Sequence, residues 1–92
     1  MEQETGHNTP AVVTFSTLLM MFGTTGMAQL GVVPDPAGAE TQVDLDGARQ
    51  TIEMLEVLEQ KTVGNLTESE AGLLEGILFD LRLRYVGVTT GR

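Results

Sequence analysis

The chain is 92 residues long, carries thirteen acidic against five basic side chains for a net charge of −8, and contains no cysteine. That balance excludes backbone-driven binding to nucleic acid or anionic lipid, and the missing thiols exclude disulfides, thiolate metal sites and a cysteine nucleophile. One small domain is expected, near the size at which a single core only just suffices.

Residues 1–10 show no apolar periodicity and read as a disordered tail, and the single histidine, His7, stands there without neighbours that would orient it. From Ala11 to Val33 come 23 residues without a charge, enough for a helix to cross a hydrocarbon core of about 30 Å. Against a membrane span stand Thr14, Ser16, Thr17, Thr24, Thr25 and Gln29, and no Lys or Arg precedes Arg49 to set orientation. Gly26-Met27-Ala28 resembles a signal-peptide cleavage site, but the stretch ahead of it is acidic where a positive one is needed. A buried helix over about 14–30 is the remaining option. Phe15, Leu18, Leu19, Phe22, Gly26 and Leu30 make one face, Met20, Met21 and Met27 spill around the sides, and Gly31 with Pro34 ends it. Two short helices cannot cover so much apolar surface, so Phe15, Leu18, Leu19, Phe22, Gly23 and Gly26 are candidate contacts to a second molecule.

Pro34-Asp35-Pro36-Ala37-Gly38 is turn chemistry and marks a loop. A second helix is predicted over about 45–63, capped by Asp44, with Asp46 in its first turn and an inner stripe of Leu45, Ala48, Ile52, Leu55 and Leu58. Arg49 and Glu53 are placed to pair one turn apart. Gly64 suits a left-handed helix end, and Thr67 with Glu70 three residues later forms a capping box with Leu66 as staple. This opens a third helix over about 68–86, with Ala71, Leu74, Leu78, Leu81 and Tyr85 on its core side. Gly72 and Gly76 lie on another side, joined by Phe79 and Leu83, and suggest a second packing surface. Gly87 is expected to close the helix and leave 88–92 as a disordered tail.

The expected fold is all-α: a single domain over 11–87, built as an antiparallel hairpin of the second and third helices with the N-terminal helix packed on it, in a homodimer or small homo-oligomer. Chemistry is scarce. Asp44, Asp46 and Glu53 with Gly47 partly match a calcium-binding loop, but Gln42 replaces its leading aspartate and no helix enters it, so a capped helix start explains the same residues. The paired carboxylates Glu53 with Glu56, and Glu68 with Glu70, fall on solvated faces or at a cap, where neither is suited to acid/base work. Arg82, Arg84 and Tyr85 read either as a small recognition patch or as helix-end charges paired with Asp46 or Glu53. No catalytic residue, cofactor or metal site is expected, and the chain is not read as an enzyme.

Phe15-Ser16-Thr17-Leu18, Leu30-Gly31, Ala48, Ile52, Leu55 and Leu58 resemble a small bacterial family known only as domain of unknown function eighteen forty-four. Lys61-Thr62 followed by Gly64-Asn65-Leu66-Thr67, and Leu81-Arg82-Leu83-Arg84-Tyr85, carry the resemblance further, over about 14–86. It implies a short, soluble, mostly helical protein and brings no activity or catalytic residues. The functional expectation is therefore a cytoplasmic, non-enzymatic module for protein–protein interaction and self-association, through the first helix and the Gly72/Gly76 face. An unidentified protein partner is the variant of that reading. The alternative is a membrane-associated protein anchored through residues 11–33.

Overall fold

The computed structural model describes residues 12–32 and 42–91. The tail expected over 1–10 and most of the loop after the first helix lie outside the described residues. Among the described residues there are three helices, α1 (Phe15–Gln29), α2 (Leu45–Lys61) and α3 (Glu68–Thr90), and no strand.

Each helix begins where a side chain takes up an orphan backbone donor. Thr14 caps α1: its hydroxyl accepts from the Thr17 amide, and the Thr17 hydroxyl accepts from the Thr14 amide, both at 3.2 Å. Asp44 caps α2 by accepting from the Gly47 amide at 3.0 Å. The Thr67/Glu70 box forms as the spacing predicts, with the Glu70 amide on the Thr67 hydroxyl and the Thr67 amide on the Glu70 carboxylate.

The ends are equally local. Gly31 takes φ 78° while its amide donates to Ala28 and that of Val32 donates to Met27, a Schellman closure of α1. Gly64 takes φ 83° in the turn after α2. That helix stops at Lys61 rather than 63, because Thr62 turns its hydroxyl onto the Leu58 carbonyl at 2.7 Å and the Asn65 amide closes onto Thr62. The third helix runs four residues past the expected end. Gly87 stays out of the left-handed region, Val88 packs against the core, and the Thr89 and Thr90 hydroxyls donate to the Val86 carbonyl, so the last turn holds.

The core joins Leu19 and Leu30 to Ala48, Ile52 and Leu55 of α2 and to Leu74, Leu78 and Leu81 of α3. Burying each leucine stabilises the fold by roughly 1.5–3 kcal/mol. The helices run up, down and up. Gly23 faces Ile77 and Gly26 faces Leu81, so α1 and α3 advance side by side. The Gln29 carbonyl at the end of α1 accepts from the Asp44 amide at the start of α2 at 2.7 Å, which turns the chain back on itself. One polar contact crosses the interior here: the buried Thr51 donates to the Gln29 side-chain oxygen at 2.7 Å.

Candidate interaction surface

Two stripes run along opposite sides of α3. The inner one, Leu74, Leu78 and Leu81 followed by Tyr85 and Val88, packs into the core. The outer one steps through Ser69, Gly72, Gly76, Phe79, Leu83 and Val86, alternating three and four residues like the seam of a coiled coil. Phe79 is 68% exposed, Leu83 59% and Val86 54%. A β-carbon added at Gly72 or Gly76 would meet nothing within 4 Å, so nothing in the described fold requires glycine at either place. None of the six carries a charge. Glu75 and Arg82 flank the stripe on one side, one heptad apart, and Asp80 flanks it on the other.

Beside this stripe, α1 and α3 leave an open groove of about 360 Å³. Gly72, Gly76 and Ile77 line it from α3, and Met20, Gly23 and Met27 from α1. A smaller groove of about 210 Å³ lies between α1 and α2, where Leu18 and Met21 face Met54.

The residues expected to meet a partner divide by location. Gly23, Gly72 and Gly76 come together along the larger groove. Leu18 is 39% exposed and lines the smaller one. Phe15 and Phe22 are half-buried against the core. Leu19 and Gly26 lie inside a single chain: Leu19 is a core residue, and a β-carbon at Gly26 would come within 2.8 Å of the Leu81 side chain. Periodicity put both on the apolar face of α1, but it could not say that α2 and α3 would fill the space over them. Ser69 and Val86 extend the outer stripe in both directions. Continuing the Gly72, Gly76, Phe79, Leu83 step along the sequence would have found them.

Three arginines pair with carboxylates of the same chain. Arg82 pairs with Glu56 across the α2/α3 hairpin at 2.8 Å, in place of Asp46 or Glu53. Those two carboxylates flank Arg49, at 3.6 and 3.7 Å. Arg84 pairs with Asp80 one turn back at 3.2 Å. Asp44 is engaged as a cap, and among the described residues no group of three or more His, Cys, Asp or Glu is placed to hold a metal ion. No helix among the described residues is long and apolar enough to cross a membrane.

A family model, domain of unknown function (DUF1844), matches residues 12–87. No curated protein and no solved structure matches the chain.

Proposed function

The chain belongs to the DUF1844 family, a classification that assigns no activity, and from the surface just described we propose that it is a non-catalytic interaction module that self-associates. The observation that carries this reading is the outer stripe of α3, where Phe79, Leu83 and Val86 are each more than half exposed along one uncharged row of the helix, flanked by Arg82 and Asp80. Isolated exposed hydrophobics are ordinary, whereas an aligned row beside an apolar groove fits a contact surface. Leaving two glycines in the interior of a helix costs roughly 1 kcal/mol each relative to alanine, a cost the described fold does not recover. A second molecule that needs close approach at those positions would recover it.

An anchor through residues 11–33 has less support. The fifteen residues of α1 reach about 22 Å, short of a hydrocarbon core, and a net charge of −8 is repelled by anionic headgroups. Size-exclusion chromatography with light scattering at tens of micromolar tests the proposal. A mass near twice 9.9 kDa is expected, and a monomer across that range would overturn it.

A further inference from the structure

Resting on that self-association, we infer that two copies of the chain pair antiparallel along the outer faces of α3, with Phe79 over the partner's Gly76 and Leu83 over the partner's Gly72. The outer stripe is graded in size. Its N-terminal half is small, Ser69, Gly72 and Gly76, and its C-terminal half is large, Phe79, Leu83 and Val86. A two-fold axis between Gly76 and Phe79 lays each large residue on a small one, and Val86 then falls on the partner's Ser69. A face that is self-complementary under a two-fold rotation is what an isologous dimer requires. Parallel pairing in register would set glycine on glycine and leave voids.

Charge selects the same arrangement. With a and d positions assigned to the stripe, Glu75 and Arg82 both fall at g and Asp80 at e. Antiparallel pairing brings g against g, so Glu75 faces the partner's Arg82 twice, once on each side of the axis. The guanidinium that bonds Glu56 at 2.8 Å is still about half exposed and can take a second carboxylate. Parallel pairing brings g against e and sets Glu75 against the partner's Asp80, two repulsions instead of two attractions. Sliding the antiparallel pair by one heptad opposes Arg82 to Arg82 or Glu75 to Glu75. Shape and charge thus agree on one register.

Because the chain has no cysteine, Thr89→Cys carries a single spin label on the full-length protein. Pulsed electron-electron resonance on that dimer should give a label separation near 35 Å, the axial distance of two sites about 11.5 residues from the axis at 1.5 Å per residue. Parallel helices would hold the labels near the interaxial spacing of about 10 Å. In the same protein, Glu75→Arg should raise the dimer dissociation constant by roughly threefold to thirtyfold at low salt, as two attractions become repulsions. A dimer with a short label distance, or one that Glu75→Arg tightens, overturns the antiparallel pairing and leaves self-association standing. A monomer by light scattering overturns both.

Discussion

Gly26 and the pair Gly72/Gly76 are the same residue type in helix interiors, and they are there for opposite reasons. At Gly26 the backbone of α1 comes so close to α3 that an added methyl would meet both Leu81 methyls, at 2.8 and 3.0 Å, and Thr51 at 3.4 Å. The three-helix core needs that approach. At Gly72 and Gly76 an added methyl would stand in open space. A glycine that a fold requires and one that it merely contains cannot be told apart by spacing, only by what a β-carbon would touch.

The contrast between inner and outer faces is sharpest at two adjacent residues, Leu78, which is fully buried, and Phe79, which is 68% exposed. Leu78→Ala should lower stability by about 2–5 kcal/mol, through lost burial and the cavity left behind. Phe79→Ala should change monomer stability by less than about 0.5 kcal/mol while weakening association. Urea melts at low protein concentration read the first effect, and light scattering at high concentration reads the second. Equal destabilisation by both would mean that α3 has no free outer face.

Thr51, across from Gly26, gives the next largest effect. Its hydroxyl is buried and donates to Gln29, so Gln29→Ala leaves it without that acceptor, at a cost of about 1–3 kcal/mol. The double variant with Thr51→Val should recover part of the loss, because both polar partners are then gone. Gly26→Ala comes third. Forcing a methyl against the fully buried Leu81 costs about 1–3 kcal/mol, offset by about 1 kcal/mol of helix propensity, for a net loss of up to roughly 2 kcal/mol in the same urea melts. A stabilised Gly26→Ala would show that Leu81 yields without cost and would erase the difference from the outer glycines.

Much of this was legible in the sequence because it is encoded within a few residues. Asp44, the Thr67/Glu70 box, Gly31 and Gly64 all act within four positions of themselves, and the heptads Leu74, Leu78 and Leu81 report their face directly. Where the decision lay between elements, local pattern was insufficient. Gln29 reads as a poor residue for an apolar helix until α2 presents Thr51 to it. Arg82 finds Glu56 because of how the hairpin halves sit, which no spacing along α3 encodes. Gly87 looks like a stop, yet Val88 packing on the core carries the helix past it. For the interaction surface, the Gly72/Gly76 face was visible as a pattern, while the removal of Leu19 and Gly26 from any outer surface depended on three helices closing over them.

The smallest effect is the one that separates the two kinds of glycine most cleanly, because its sign reverses with concentration. Alanine at Gly72 or Gly76 meets no atom of its own chain, so each substitution should stabilise the isolated chain by about 0.5–1 kcal/mol, through reduced freedom of the unfolded backbone and better helix propensity. In urea the midpoint should rise at unchanged slope when the melt is run well below the dimer dissociation constant. On the paired helices the same methyls would occupy the space taken by the partner's Phe79 and Leu83, so the Gly72→Ala/Gly76→Ala double variant should dissociate more readily in light scattering. A variant that both folds more stably and associates more weakly places the demand for glycine outside the single chain. Association that survives the two alanines unchanged would move the contact elsewhere, toward the exposed Met20 and Met21 of α1.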